Sequence, residues 1–208
     1  LLTRDGYTLT TETRRFWDMR DPWVQEHLAE LVIARLKECG FGYMKMDYNE
    51  TIGIGCDGAE SLGEGLRQNM EASMAFIERV KREVPGIVLE NCASGGHKLE
   101  PLMMRLCSMA SFSDAHECEE IPLIAANLHR CILPSQSQIW AVIRKNYDAK
   151  RIAYIMASTF LGRMCLSGDV TELDEGQWRV IDNAMAFYQK ISHVIKNGVT
   201  YFYGDKLP

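Results

Sequence analysis

Two aspartates that close short apolar runs are the residues of this sequence best placed to do chemistry. Asp47 ends FGYMKMD (41–47), and Lys45 stands two positions before it. Side chains alternate along a strand, so Lys45 and Asp47 share one face, where the cation would hold the carboxylate ionised as a nucleophile requires. Asp114 ends MASFSD (109–114). Two carboxyls about 5–5.5 Å apart suit a retaining glycosidase, one attacking the anomeric carbon while the other protonates the departing oxygen. Both have a plainer reading: Asp47 ends a strand or caps the next loop, and Ser113 and Asp114 cap the following helix. Glu117, Glu119 and Glu120 read as the solvated first turn of that helix, where acidic groups suit its dipole.

Between the aspartates lies ENCASGGH (90–97). Its small residues let backbone approach a ligand and turn N–H groups toward hydroxyls, or they simply make a turn. Cys92 is either a thiol packed on a sugar face or inert core. His97, His116 and His129 lack metal-ligand spacing and read as structural or peripheral. Trp140 and Trp178 read as core rather than as a sugar platform, whereas Trp17, beside Arg14 and Arg15, is a candidate pocket wall.

Elements must position these groups. A helix is predicted from Asp21, a cap donor, with Pro22 at its first position, Val24, Leu28, Leu31, Val32 and Leu36 on one face, and Gly40 as its stop. FGYMKMD then reads as a strand, followed by a Gly-rich loop over 53–65 and a helix to about Val84, ended by Pro85 and Gly86. The cycle repeats four times. IVLEN leads to a Ser/Gly/Gly turn and a helix over 99–106; MASFSD to a helix over 121–128; a run near 134–142 to a helix from Asp148; and GRMCLSG to a helix from Asp174 to about Ile195.

Five strand-then-helix units with no hairpin signal between them predict a parallel sheet, either open and doubly wound or closed as a (β/α)8 TIM barrel. No GxGxxG fingerprint is read at the turn after the first strand, which disfavours the open dinucleotide-type sheet. Polar residues at successive strand ends favour the barrel, whose rim draws on many strands: Lys45 and Asp47, Glu90 and Asn91, Ser113 and Asp114, Gln136 and Gln138. A whole barrel takes about 250 residues. The expectation is therefore an α/β chain forming the C-terminal portion of a TIM barrel, about strands four to eight, over residues 1–197. The first strands are expected to be missing, or partly represented by residues 14–19. Residues 198–208 read as a strand-like exit segment toward a further domain.

Bulk properties narrow the partners. With 208 residues, 47% hydrophobic and 25% charged, the composition is that of globular material with one sizeable core. A net charge of -5 gives no electrostatic reason to bind polyanions, so neither nucleic acid nor a membrane surface is expected as a partner. No apolar run approaches the roughly 18–20 residues that span a bilayer, and residues 1–20 lack a signal-peptide pattern. The seven cysteines include no CxxC pair and read as reduced thiols of a cytoplasmic protein. No cofactor or metal is expected, and the exposed edge of a partial barrel makes a homo-oligomer one expected partnership.

Taken together, these segments resemble glycoside hydrolase family 36, the α-galactosidase and raffinose-cleaving group. The family's YxKWDxN motif is matched by YMKMDYN (43–49), its ENCASGG element by residues 90–96, and its strand-ending Ser-Asp pair by Ser113 and Asp114. DMRDPWV (18–24) and FLGRMCLSGDVTELDEGQW (160–178) are similar to its stretches before the nucleophile strand and at the barrel's end. The resemblance implies a (β/α)8 barrel that cleaves terminal α-galactosides by double displacement, on melibiose- or raffinose-type oligosaccharides or related α-glycosides, with N-acetylgalactosamine or another α-sugar open beside galactose. It assigns Asp47 as nucleophile, Asp114 as general acid/base, and sugar-hydroxyl contacts to Lys45, Asn49, Cys92, Ser94 and Gly95. It also implies that an acidic pair gripping the galactose 4- and 6-hydroxyls lies before Leu1, so these 208 residues alone are expected to be catalytically poor.

The chain departs from the family pattern in three places: Met46 replaces a tryptophan, Glu50 stands where a basic residue is common, and SDAHE (113–117) replaces SDNTD. Two other readings stay open. In an enolase-type barrel, MKMD, VLEN and SFSD would bind Mg²⁺ through about six oxygens with Lys45 as the base, and a chelator would abolish activity. In a barrel relic, sugar is bound without turnover.

Overall fold

The computed structural model describes residues 1–203, which fall into two compact units, Leu1–Leu89 and the remainder from Glu90. Its strands β5 (Tyr43–Asp47), β6 (Val88–Cys92), β7 (Met109–Ser111), β8 (Ser137–Ile143) and β9 (Arg163–Gly168) pair in chain order as one five-stranded sheet, and β6 to β9 run parallel. A helix follows each strand, as the alternating pattern predicts.

The first unit opens with two small antiparallel hairpins, β1 (Thr3–Arg4) with β2 (Tyr7–Thr8) and β3 (Thr10–Thr11) with β4 (Arg14–Arg15). Residues 14–19 are thus no barrel strand, which corrects that expectation. The first hairpin had a legible signal: Asp5 and Gly6 both take positive φ, 52° and 78°, as a two-residue Asp-Gly turn demands.

Asp21 caps the next helix, accepting from Trp23 N at 2.9 Å, and Gly40 ends it in the left-handed region at φ 67°. Between α1 (Pro22–Leu28) and α2 (Ala34–Cys39) the backbone makes a π-helical turn, Ala29–Ile33. That turn corrects the predicted face. Its wider i→i+5 spacing shifts the buried positions, so Val24, Ala29, Ile33 and Leu36 are buried while Leu31 is 57% exposed. Helix α3 (Leu62–Glu83) is capped by Ser61, which accepts from Glu64 N at 3.1 Å. Arg79 ties it to Glu26 of α1 at 2.8 Å and Lys37 of α2 bonds its Glu83 at 3.0 Å, both exposed pairs worth little on their own.

The second unit carries α4 (Pro101–Met104), α5 (Glu120–Leu128), α6 (Ala149–Ser158) and α7 (Glu175–Asn197). Asp148 caps α6 and Asp174 opens α7 with a reciprocal capping box to Gln177, as those aspartates predict. Two apolar clusters flank β8. Ala141 and Ile143 pack with Cys118, Ile152, Ile155, Met156 and Ile181, and Ile139 and Val142 with Phe112, Ile121 and Ala125. One expected rim pair is misplaced. Gln136 precedes β8, donating to the carbonyls of Met104 at 2.9 Å and Cys107 at 3.1 Å, and Gln138 is the second residue of the strand, so both sit at its N-terminal end. Of the expected strand-like exit over 198–208, residues 198–203 form no strand, and residues 204–208 lie outside the described residues.

Candidate active site

Asp47 is the last residue of β5, and Tyr43, Lys45 and Asp47 alternate as exposed positions with the half-buried Met44 and Met46. The shared face of Lys45 and Asp47 follows directly from that period of two. Asn49, two residues on, is exposed too. The loop beyond is held by arginines that the sequence did not single out. Arg4 donates from Nε to Gly55 O at 2.9 Å and also reaches Ile52 O, while Arg20 donates to Asp57 O at 2.8 Å. Arg20 is itself fixed by a two-pronged pairing with Asp18, 2.8 Å on each prong, and its guanidinium holds the Asp18 carboxyl below the usual carboxylate range.

Gly53, Gly55 and Gly58 have the spacing of a dinucleotide fingerprint, contrary to the sequence reading. The helix starts only at Leu62, however, and a Cβ on Gly55 would lie 2.0 Å from Leu62 O, so that glycine serves a backbone-to-backbone contact between the loop and the first residue of α3. Glu50, the charge departure from the family pattern, pairs with Arg14 at 2.6 Å. Arg15 is exposed, and Trp17 joins Trp23 and His27 in an aromatic group with ring centroids 4.8–6.4 Å apart.

In the second unit, Cys92 ends β6 and is buried at 2% exposure. The chain then turns through two left-handed residues, Ser94 at φ 43° and Gly95 at φ 72°. This turn lies against the backbone that carries Asp114. A Cβ on Gly95 would sit 2.6 Å from Ser113 Cα and 2.7 Å from Asp114 N, and one on Gly96 would sit 2.4 Å from Phe112 O. Gly95, expected as a hydroxyl contact, is therefore also the residue whose missing side chain lets the turn and Asp114 come together.

Asp114 is exposed and lies beyond the end of β7. It does not cap a helix. Ser113 Oγ takes the local N–H, from Ala115 at 3.0 Å, and α5 begins only at Glu120, with no side-chain cap. Asp47 ends β5, as its plainer reading has it, and α3 is capped by Ser61. The helix-capping interpretation of Asp114 thus falls away.

The segment after Asp114 is anchored by side chains. His116 lies 5.6 Å, ring to ring, from Trp140 of β8. Cys118 is buried, and burial pushes its thiol pKa up. Arg151 of α6 lies over the Tyr147 ring at 4.2 Å and reaches Glu117 and Glu119 at 3.8 Å. Beneath, Ser111 bonds the buried Glu90 and lies 3.3 Å from Gln138 Oε1, which also receives Trp140 Nε1 at 3.5 Å. His97 is exposed, and Trp178 packs on the α6–α7 core as expected.

Two constellations result: Lys45, Asp47 and Asn49 on one strand and its loop in the first unit, and Cys92, Ser94, Gly95 and Asp114 around one turn in the second. Among the described residues no three His, Cys, Asp or Glu side chains converge to hold a metal, and no helix is long and apolar enough to cross a membrane. None of the seven cysteines is in a disulfide.

Known structures share the fold of this chain. A family 36 α-galactosidase, AgaA from Geobacillus stearothermophilus, matches with TM-score 0.83 at 18% identity over 94% of this chain and 28% of its own. The α-galactosidase from Lactobacillus brevis matches with TM-score 0.80 at 18% identity, over 95% of this chain and 28% of its own. The galactosidase domain of an α-galactosidase-sucrose kinase, AgaSK, gives 0.78 at 15%, over 93% and 27%. At such identities the likeness establishes the fold, that of family 36 catalytic domains, and the chain spans a little over a quarter of each relative's length. No curated protein sequence matches. The melibiase family profile matches residues 2–198, and with the structural neighbours drawn from the family that the motifs resemble, the chain belongs to the melibiases of glycoside hydrolase family 36.

Proposed function

We propose that this chain supplies the catalytic carboxylates of a retaining α-galactoside hydrolase. The carrying observation is the family match over residues 2–198 together with the position of Asp47 and Asp114, each exposed at or just past a strand's C-terminal end and neither capping a helix. On this reading the five strands correspond to strands four to eight of the barrel, and residues 1–197 are part of its catalytic domain.

Asp47 attacks the anomeric carbon as the glycosidic C–O bond breaks, and Asp114 gives its proton to the departing oxygen. A galactosyl–Asp47 ester results. Asp114, now a carboxylate, takes a proton from water, the water oxygen bonds to the anomeric carbon, and Asp47 leaves, so that two inversions give net retention. Lys45, on the same strand face as Asp47, together with Asn49, Cys92, Ser94 and Gly95, meets the sugar's hydroxyls and face. Substrates of the raffinose class fit this reading, since AgaA variants have been crystallised with raffinose and with stachyose.

The deciding experiment replaces Asp47 with glycine in the protein that carries this chain and adds azide. The expected product is β-galactosyl azide from an α-galactoside, the small anion taking the place of the missing nucleophile. Failure of azide to restore any turnover to an otherwise folded Asp47→Gly protein would overturn the assignment.

A further inference from the structure

We propose that Trp140 and His116 form an aromatic platform that receives the leaving-group sugar. The inference rests on the reading of Asp114 as general acid/base. Because that group protonates the departing oxygen, surfaces beside it face the leaving group rather than the galactose. His116 is two residues beyond Asp114, a chain length of at most about 7 Å, within the reach of one sugar ring.

The two rings differ in support. Trp140 is half-buried in β8, packed on the cluster of Phe112, Ile121, Ala125, Ile139 and Val142, and its Nε1 bonds Gln138 Oε1 at 3.5 Å. Gln138 in turn touches the buried Ser111 at 3.3 Å, so the indole is oriented from below by strand residues. His116 is exposed, with its centroid 5.6 Å from the indole and its plane tilted by 36°. The tilt prevents the rings from covering each other face to face, so they make an angled aromatic surface. Its loop is anchored further on by Cys118, buried in the α6–α7 core, and by Arg151.

A pyranose presents a C–H face and a belt of hydroxyls. The C–H face suits an aromatic plane, and the ring nitrogens of His116 can donate to or accept from hydroxyls. A leaving group without a ring would gain nothing from this surface. His116 falls within SDAHE, where the family resemblance leads one to expect SDNTD, so the platform would set this chain's preference among leaving groups.

The test compares two substrates with the same galactosyl group and a departing oxygen that needs protonation: raffinose, whose leaving group is a sugar, and methyl α-galactoside, whose leaving group is methanol. For His116→Ala and Trp140→Leu the ratio of kcat/KM on raffinose to that on the methyl galactoside is expected to fall on the order of tenfold, and for Trp140→Phe to stay near the parent value. His116 is exposed, so its variant keeps the test valid if Trp140→Leu folds poorly. An unchanged ratio in His116→Ala, or a parallel loss on both substrates, overturns the platform while leaving the hydrolase reading intact. A parent protein inactive on both substrates overturns the hydrolase reading and the platform with it.

Discussion

At Gly95 an added methyl group would meet Ser113 Cα at 2.6 Å and Asp114 N at 2.7 Å, both backbone atoms that cannot swing aside. The position also has φ 72°, a conformation that costs an L side chain roughly 1–2 kcal/mol. Gly95→Ala therefore has to move either the turn or the aspartate. Misplacing a catalytic group by about 1 Å costs about a hundredfold in rate. Turnover by Gly95→Ala is accordingly expected to drop about a hundredfold with an unchanged far-UV circular dichroism spectrum, and parent-like kcat/KM in that variant would show that the contact does not position Asp114. This dependence was only half visible in the sequence: the small residues of ENCASGG indicated a turn or a close approach to a ligand, but nothing in the string points to the Ser113–Asp114 backbone as the neighbour. Asp114's freedom from capping was equally hidden, because Ser113 beside it is as good a cap and only the fold decides which one takes the N–H.

Elements whose causes are local were legible. Asp21, Asp148 and Asp174 each cap the helix they were expected to start, and Gly40 stops one, because a cap needs only the next three or four residues. The π-helical turn at Ala29–Ile33 was not, since it shifts a face without altering the apolar content of the segment. Arg4 was missed for a different reason: its acceptor at Gly55 is 51 residues away. At the end of α5, His129 has a side chain with a buried, unpartnered Nε2, and burial pushes its pKa below the ordinary 6.5. Between the lowered value and 6.5 the unfolded chain binds more protons than the folded one, so stability rises with pH across that window and falls as pH drops through it. Urea melts should show the protein losing stability between pH 7 and pH 5.5, and losing less of it in His129→Gln. An identical pH slope in the two proteins would remove His129 as the cause.

Over the whole molecule, the strand order leaves β9 paired on one side only, with β8, among the described residues. Six of its residues register against β8 from Arg163 to Gly168, and on its other edge Met164 N donates to the Tyr188 hydroxyl of α7 at 3.2 Å, while no further strand pairs there among the described residues. Beyond that tyrosine the usual devices that blunt an edge are scarce. RMCLSG has one charged residue, no proline and no inward charge, and its first five positions are half-buried rather than covered. Parallel strands in barrels are normally paired on both sides, because closure alone removes the edges. The 208-residue chain on its own is therefore expected to associate through β9, giving a concentration-dependent mass above 23.7 kDa in sedimentation equilibrium. A lysine in place of Met164 should weaken that association by introducing a charge on the edge strand, at some cost to packing with the α6–α7 core, where Met164 is partly buried. A strictly monomeric parent chain across the micromolar range would mean that the edge is already satisfied, and self-pairing through β9 would then be ruled out for the isolated chain.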